Sequence, residues 1–308
     1  MKQNIETVIS LEIVVVGHLS RDLIITPEAR REALGGGTAY AMLAPTIGAF
    51  GAAIITKVGA DFEQEYRDTL DSSGLDLSCL HVEGECSTRF VNEYDILGTR
   101  VQRVESVAPS ITPSDFGEIH HHAKIIHFSP LTRDEIDTTC FEIAGEEGAL
   151  TSLDVQGFLR HVGPDGLVTL RDWTDRDKIL SKLDIVKFHD SELRLTDSSE
   201  SELSAVSHIL DLGPIIVIVT RDHRGSTIYT RNSQVDIPLV LSKNQVDSTG
   251  CGDTYAIGFL IEYMRSLDIS RAGLFAATCA SFNAETVGPY DMPDRFKIET
   301  RMRSYLPA

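Results

Sequence analysis

The chain has 308 residues, of which 42% are hydrophobic and 24% are charged, as expected for a globular protein of one large domain. Its formal net charge of −18 argues against nucleic acid as a partner, because phosphate backbones select basic surfaces. No segment approaches the roughly 18 uninterrupted apolar residues of a membrane span, and the first ten residues lack the profile of a signal peptide. We therefore expect a cytoplasmic protein without a membrane partner.

Strands and helices alternate along most of the sequence. Residues 11–16 form a β-branched run, which predicts a strand buried on both faces. Further strands are predicted at 52–58, 124–128, 149–153, 183–188 and 214–220, and helices at 38–47, 61–70 and 273–286. This alternation predicts an α/β fold with a mostly parallel central sheet.

Two segments break the alternation, at about 19–34 and 86–105. They carry period-two patterns, and Leu97-Gly98 stands where a hairpin turn would lie. We interpret them as a small β lid on a single domain that spans residues 1–308. Such a lid could close over a ligand at the carboxyl ends of the strands, although an antiparallel extension of the sheet edge would give the same pattern.

A polar turn late in the chain leads directly into an apolar stretch, residues 255–264. It reads Asp-Ser-Thr-Gly-Cys-Gly-Asp from Asp247 to Asp253. Free amides and the positive dipole end at a helix N-terminus bind anions such as phosphate. A carboxylate beside such a site is expected where it must take a proton, so the turn predicts phosphoryl transfer to an alcohol. A shorter Gly-x-Gly-Asp string alone would more often be an ordinary turn and first helical turn.

The full string resembles the D-[ST]-x-G-[AC]-G-D signature of the PfkB, or ribokinase-like, family of small-molecule kinases. The likeness extends over nearly the whole chain, since residues 14–22, 34–40 and 57–62 resemble the N-terminal segments of that family. The resemblance implies a ribokinase-like three-layer α/β/α fold with a small β lid. It also implies an ATP-dependent kinase that uses Mg²⁺ to phosphorylate a hydroxyl of a sugar or polyol.

The resemblance also implies roles for individual residues. Asp253 would be the general base, and the amides of Gly250, Cys251 and Gly252 would hold the transferring phosphoryl group. The acceptor would be bound by Asp22, Gly36, Gly37, Tyr40, Asn92, Asp154, Gln156 and Arg160. The nucleotide would be held by Thr220, Arg221, Gly225, Asp247, Thr249 and Asn283, and Glu192 would organise Mg²⁺.

Two positions depart from the family pattern. His189 stands where the N-x-x-E motif has asparagine, and Asp222 replaces the first glycine of the T-x-G-x-x-G nucleotide loop. The first departure leaves the metal arrangement open. Together they also leave open a catalytically silent sugar-binding or regulatory protein on this fold.

Residues 153–160 bear on the identity of the acceptor. They read Leu-Asp-Val-Gln-Gly-Phe-Leu-Arg. This string resembles the myo-inositol kinase branch of the family, so myo-inositol or a related carbohydrate is the first candidate. A salt bridge between Asp154 and Arg160 is the purely structural alternative. A nucleoside kinase is a second candidate, which would need an aromatic platform from Tyr40, Phe90 or Tyr94.

Two further features concern reactivity and assembly. The Cys251 thiol lies at a helix N-terminus, a position that can lower a thiol pKa, but we interpret Cys251 first as a small residue that fits the turn. The alternating lid edge at 89–104 is a candidate surface for a homodimer.

Overall fold

The computed structural model describes residues 11–97, 100–146 and 148–306, so Gly98 of the predicted hairpin turn lies outside the described residues. In the first half, the strands are β1 (Leu11–Val16), β2 (Ser20–Ile25), β3 (Arg30–Gly35), β4 (Ala52–Val58), β5 (Asp76–Val82), β6 (Thr88–Tyr94), β7 (Arg100–Ser106) and β8 (Ala123–Phe128). In the second half they are β9 (Leu150–Asp154), β10 (Arg160–Val162), β11 (Val168–Leu170), β12 (Ile185–His189), β13 (Ile216–Thr220), β14 (Ser226–Tyr229) and β15 (Gln234–Ile237).

The helices lie mainly between these strands and after the last of them. They are α1 (Gly37–Tyr40), α2 (Leu43–Thr46), α3 (Gln64–Ser72), α4 (Cys140–Glu146), α5 (Gln156–Leu159) and α6 (Arg176–Leu180). The later ones are α7 (Asp190–Thr196), α8 (Glu202–Leu212), α9 (Cys251–Ser266), α10 (Ile269–Asn283) and α11 (Arg295–Met302). No helix in these ranges is long and apolar enough to cross a membrane.

A nine-stranded sheet forms the centre of the molecule, in the order β15-β14-β13-β12-β9-β8-β1-β4-β5. Every neighbouring pair from β13 to β5 is parallel, whereas β14 and β15 are antiparallel additions at one edge. The prediction of a mostly parallel α/β sheet is confirmed. Because parallel strands end at the same edge, the carboxyl ends of β1, β8, β9, β12 and β13 lie together.

Strand β1 shows how the sheet is covered on both faces. Ile13 and Val15 belong to the hydrophobic core that contains α9 and α10, whereas Val14 and Val16 belong to the core on the opposite face. Successive side chains of a strand point to opposite faces, so a continuous apolar run needs two layers of helices. The three-layer arrangement follows from this alternation.

Two predicted helices differ from those observed. Residues 38–47 form the two short helices α1 and α2 rather than one. Helix α3 begins at Gln64 instead of Asp61, because the Asp61 carboxylate accepts hydrogen bonds from the Ser87 amide and hydroxyl, both at 2.7 Å. The Asp61 carboxylate is therefore not available to cap the N-terminus of a helix, and this long-range contact is not visible in a local sequence pattern.

A second sheet of four strands, in the order β3-β2-β6-β7, stands apart from the central one. We call it the lid sheet. The hairpin β10–β11 contacts its β7 edge, where the Val104 amide donates to the Gly166 carbonyl at 2.8 Å and Arg103 pairs with Leu167. Part of the edge that the sequence offers for subunit pairing is therefore covered by the same chain. Closure of the lid and dimerisation through it stay predictions.

We predict that Phe141→Ala lowers the free energy of unfolding by about 3–5 kcal/mol, because a buried aromatic ring would be replaced by a cavity. The Phe141 ring is 1% exposed and lies 4.2 Å from the Phe128 ring and 6.0 Å from the Phe158 ring, measured between centroids. Urea unfolding can be followed by the fluorescence of Trp173, the single tryptophan, which is buried on Phe158. As a control, Phe296→Ala removes a ring that is 74% exposed and should change stability by less than about 0.5 kcal/mol. Equal losses in both variants would contradict the prediction.

Candidate active site

The turn that precedes α9 is shaped by one glycine. Gly250 has a left-handed backbone (φ 78°) at the N-cap of α9. A Cβ at this position would lie 1.9 Å from Cζ of the Tyr40 ring, and the Tyr40 hydroxyl donates to the Thr249 carbonyl at 3.2 Å. Glycine adopts this backbone without strain and leaves room for the ring. Tyr40 is 2% exposed. It therefore supports the turn and does not offer a face to the acceptor, which differs from the acceptor-binding role that the sequence predicted for it.

Two other predicted residues also hold the turn. The Asp247 carboxylate accepts from the Thr249 amide at 2.9 Å, and the Asn283 side-chain amide donates to the Thr249 carbonyl at 2.7 Å. The Cys251 amide donates to the Ser248 carbonyl at 3.2 Å, so it is not free for a ligand, contrary to the expectation for all three amides. Within the described residues, the Gly250 and Gly252 amides have no hydrogen-bond partner. These two amides are available for an anion.

The Cys251 thiol is a packing group. Burial raises its pKa to about 11, and Asn283 opposes this rise only in part. Its Sγ lies 3.5 Å from the Ala280 carbonyl oxygen. The raised pKa agrees with the interpretation of Cys251 as a small residue that fits the turn, and not with the alternative of a reactive thiol, because burial disfavours the thiolate.

Asp253 follows the turn in the first turn of α9 and is partly exposed. The Ser129 hydroxyl donates to Asp253 Oδ1 at 3.2 Å. Burial raises the pKa of Asp253 to about 6, and the negative charge of Asp154 adds to the rise, whereas Lys187 and Arg160 oppose it. The carboxyl group can therefore accept a proton near neutral pH.

Three consecutive glycines, residues 35–37, lie close both to Asp253 and to Asp22, a carboxylate on the lid sheet. A Cβ at Gly35 would lie 2.7 Å from Asp22 Oδ2, and one at Gly37 would lie 3.0 Å from Asp253 Oδ1. Gly36 has φ 90°, and a Cβ there would lie 2.2 Å from the His18 carbonyl oxygen. The three glycines thus bring backbone close to both carboxylates, so that Asp22, Gly36, Gly37 and Asp253 lie around one space.

The Asp22 carboxylate is nearly buried and lies within electrostatic range of the Arg160 guanidinium. The Ser20 hydroxyl donates to Asp22 Oδ1 at 2.7 Å. Burial raises the pKa of Asp22 to about 6, and the Ser20 hydrogen bond and the charge of Arg160 oppose this rise. A carboxylate of this kind can accept hydrogen bonds from acceptor hydroxyls.

Arg160 connects the central sheet to the lid sheet. Its guanidinium donates to the Leu131 carbonyl at 3.1 Å and to Gln156 Oε1 at 2.5 Å, and it lies 5.4 Å from the centre of the Phe90 ring. Burial, with the nearby charge of Arg100, lowers its pKa. Gln156 and Arg160 are therefore brought together as predicted.

Asp154 has a different partner from the one considered in the sequence. Its Oδ2 atom lies 2.6 Å from Nζ of Lys187, with both side chains buried. The proposed salt bridge from Asp154 to Arg160 is therefore replaced by an ion pair between neighbouring strands. Asp154 is 3% exposed, and it lies beside the glycine turn rather than at the lid.

Asn92 lies on the face of the lid sheet that carries Asp22 and Phe90. Residue 22 pairs with residue 90 and residue 24 with residue 92, so alternate positions share a face. Asn92 is 3% exposed, and its Oδ1 accepts from Gln102 at 2.8 Å. The fold places Asn92 among polar groups on the inner face of the lid sheet.

The nucleotide loop after β13 is only partly as predicted. Thr220 donates to the Phe188 carbonyl at 3.2 Å, and Gly225 has φ 77°. The Arg221 guanidinium pairs with Glu202 and donates to Thr227 Oγ1 at 2.8 Å. Arg221 is thus engaged along the edge of the sheet, and its role as a nucleotide ligand stays a prediction.

The two departures from the family pattern contact each other. Asp222 has φ 45°, a left-handed value that suits a position where glycine is usual. Its Oδ2 lies 3.2 Å from His189 Nε2. The two substitutions therefore form one pair at the adjoining ends of β12 and β13.

Glu192 closes the first turn of α7 through a capping box, in which its Oε2 accepts from the His189 amide at 2.7 Å. Burial and the charge of Asp154 raise the pKa of Glu192, and Lys187 opposes this. No group of three or more His, Cys, Asp or Glu residues in the described part of the chain could hold a metal ion.

Sequence reasoning missed Ser129 and Lys187. Ser129 follows the predicted strand that became β8, but no motif identifies it. Lys187 did give a signal, because it interrupts the apolar strand Ile185-Val186-Lys187-Phe188. Lysine is rarely buried without a partner, so a lysine in a buried strand predicts a buried acid nearby.

We predict that Gly250→Ala lowers the free energy of unfolding by about 1–3 kcal/mol, because the added methyl would overlap the Tyr40 ring. Chemical denaturation measures this loss. Gly145→Ala is the matched control: it lies in α4, where a Cβ would meet nothing within 4 Å, and should gain about 0.5–1 kcal/mol. A stable Gly250→Ala variant would contradict the described packing of the turn.

Comparisons with known proteins identify the family of this chain. The family model for pfkB family carbohydrate kinases matches residues 122–295. A cytidine kinase of Thermococcus kodakarensis is 28% identical over 259 residues, which are 83% of this chain and 89% of that protein. A nucleoside kinase of Methanothermobacter thermautotrophicus is 29% identical in an alignment of 308 positions, gaps included, that covers 92% of this chain and 93% of that protein.

The fold has a close structural counterpart. A pyrophosphate-dependent kinase of the ribokinase family, solved with a pyrophosphate analogue and myo-inositol, superposes with a TM-score of 0.80. It is 23% identical, and the match covers 94% of this chain and 99% of that one. With the family model covering more than half of the sequence, this chain belongs to the pfkB family of carbohydrate kinases and has the ribokinase-like fold.

Proposed function

We propose that the chain transfers the γ-phosphoryl group of ATP to one hydroxyl of a polyhydroxylated small molecule, with Asp253 as the general base. One observation carries the proposal: a carboxyl group whose pKa is raised to about 6 directly follows a turn in which the Gly250 and Gly252 amides have no hydrogen-bond partner among the residues that the structure describes. A base is most effective when its pKa lies near the operating pH. Kinase activity is common to the family, whereas these residue roles are our proposal.

In the proposed step, the proton of the acceptor hydroxyl moves to Asp253 as its oxygen attacks the γ-phosphorus. The bond from that phosphorus to the bridging oxygen breaks, and ADP leaves with the electron pair. The amides of Gly250 and Gly252, at the positive end of the α9 dipole, would stabilise the charge on the phosphoryl oxygens. The Ser129 hydroxyl, 3.2 Å from Asp253 Oδ1, would orient the base.

The carboxylates present suit a Mg²⁺ ion that arrives with the nucleotide. Mg²⁺ keeps several waters and needs only one or two carboxylates besides phosphate oxygens. Glu192 is buried near Asp154 and has its Oε2 engaged with the His189 amide, so it fits an outer role through water. When bound, the ion would neutralise phosphate charge.

For the acceptor, we propose a sugar or cyclitol, with myo-inositol as the first candidate. Asp22, Gln156 and Asn92 supply carboxylate and amide groups that suit neighbouring hydroxyls. The structural counterpart described above was solved with myo-inositol. The aromatic supply is limited, because Tyr40 and Phe90 are each 2% exposed.

A nucleoside is the second candidate, favoured by the two archaeal relatives that are nucleoside and cytidine kinases. A ribose presents neighbouring hydroxyls to Asp22 just as a cyclitol does. Tyr94 is partly exposed and lies on the same face of β6 as Phe90 and Asn92. Of the three aromatic residues considered, it is the one that could stack on a nucleoside base.

The acceptor can be identified by measuring acceptor-dependent donor cleavage with ATP and, separately, with pyrophosphate. The panel contains myo-inositol, ribose, fructose, cytidine and adenosine, and Tyr94→Ala is assayed beside the wild type. Turnover of cytidine or adenosine that is lost in Tyr94→Ala would select the nucleoside, whereas wild-type turnover of myo-inositol and of neither nucleoside would select the cyclitol. A protein inactive with every pair would contradict the proposed acceptor class.

We predict that Asp253→Asn lowers kcat by about 10²–10⁴-fold, the range for loss of a general base. The amide has the size of the carboxyl but cannot take the proton, so circular dichroism and KM for ATP should change little. Ser129→Ala, which removes only the hydrogen bond to Asp253, should cost far less. Near-normal turnover in Asp253→Asn would remove this residue from the base role.

We also predict the pH dependence. Asp253 and Asp22 both have pKa values raised to about 6, and both act as carboxylates, so kcat/KM should be flat above pH about 7 and fall as pH drops through 6. If both carboxyl groups must be ionised, kcat/KM should fall by up to about a hundredfold per pH unit below their pKa values. In Asp22→Asn only one such group remains, so kcat/KM should fall by at most about tenfold per pH unit. Constant kcat/KM from pH 5 to 8 would contradict both assignments.

A further inference from the structure

Lys187 is a charged residue inside a buried strand. Its neighbours in β12 are apolar, and it is 5% exposed. Burial would lower the pKa of this ammonium, but the charges of Asp154 and Glu192 outweigh it, and the pKa is raised. Lys187 therefore remains positively charged at neutral pH.

The ammonium lies against the glycine turn of the candidate active site. A Cβ at Gly252 would lie 3.1 Å from Lys187 Nζ and 4.0 Å from Asp154 Oδ2. Because Gly252 has no side chain, nothing of that residue separates the ammonium from the open side of the turn. Asp253 also lies within electrostatic range, since the charge of Lys187 lowers its pKa.

The hydrogen-bonding capacity of this ammonium is not used up. Lys187 donates to Asp154 Oδ2 at 2.6 Å, and an ammonium carries three N–H donors. Within the described residues, this is its one hydrogen bond. Two donors therefore remain for a ligand beside the Gly252 amide.

We propose that Lys187 is a catalytic residue that contacts an oxygen of the transferring phosphoryl group. This inference rests on the proposed function and adds a residue to it. As the γ-phosphorus passes from the ADP oxygen to the acceptor oxygen, Lys187 keeps all its protons and stabilises the negative charge that the Gly250 and Gly252 amides also face. Asp154 acts as a positioning residue, which fixes the ammonium at the turn.

A purely structural role makes a different prediction. If Lys187 only neutralises the buried Asp154 carboxylate, removing both charges together should restore what removing one destroys. If Lys187 contacts phosphate, the double variant Asp154→Asn/Lys187→Met should stay defective in binding and transferring the phosphoryl group. The two roles are thus separated by one pair of variants.

Lys57 provides a matched control. It is also a lysine of a central strand, 5% exposed, and its Nζ lies 2.8 Å from Glu83 and 3.0 Å from Asp115. Lys57→Met therefore breaks a comparable buried ion pair without touching the glycine turn. Thermal unfolding of every variant shows whether the fold is retained.

The experiment measures inorganic pyrophosphate and ATP binding by calorimetry, and kcat and KM with the active acceptor. For Lys187→Met we expect at least about a hundredfold lower kcat and at least tenfold weaker pyrophosphate binding. The double variant should show the same losses, whereas Lys187→Arg should retain part of the binding and Lys57→Met should bind within threefold of the wild type.

Recovery of the double variant to within threefold of the wild type, or unchanged pyrophosphate binding in Lys187→Met, would overturn the inference. A wild type that binds neither pyrophosphate nor ATP would overturn it as well. If the wild type binds pyrophosphate but phosphorylates no acceptor, and Lys187→Met weakens that binding, then the proposed acceptor class fails while the phosphate contact of Lys187 stands.

Discussion

The close packing of the Gly250 backbone against the Tyr40 ring is the contact on which the candidate site depends. A methyl group there would lie 1.9 Å from the ring carbon Cζ, and the backbone has the left-handed φ of 78°. Together with the hydrogen bonds that Tyr40 and Asn283 donate to the Thr249 carbonyl, this contact sets where α9 begins. The start of α9 in turn places Asp253 and the free amides beside the carboxyl ends of the parallel strands.

Charge is balanced around this turn by groups from several strands. The carboxylates Asp154, Glu192 and Asp253 surround Lys187, and Asp22 lies within range of Arg160. Lys187 and Arg160 are both buried cations, and their charges oppose the rise in the pKa of Asp253 that burial causes. The pKa of each acid in this cluster therefore depends on the charges of its neighbours. The excess of acid over base fits a site that receives a nucleotide together with its divalent cation.

The proposed acceptor and donor sides differ in how closely they follow the family pattern. On the acceptor side, Asp22, Gly36, Gly37, Gln156 and Arg160 are brought together around Asp253. On the donor side, Arg221 is engaged with Glu202, and the two departures from the pattern, His189 and Asp222, pair with each other. Because both departures lie in segments that resemble the metal and nucleotide motifs of the family, we propose to measure activity with ATP and with pyrophosphate separately.

By itself, the sequence determined the parallel α/β architecture, the glycine turn before α9 and the position of Asp253 in the first turn of that helix, because these depend on local periodicity and on one compact motif. Only the tertiary structure decided that Tyr40 supports the turn, that Asp154 pairs with Lys187, and that the Cys251 thiol has a raised pKa. These facts depend on side chains from strands distant in sequence and on burial, which sets the cost of a charge. Neither long-range neighbours nor desolvation can be read from local spacing along the chain.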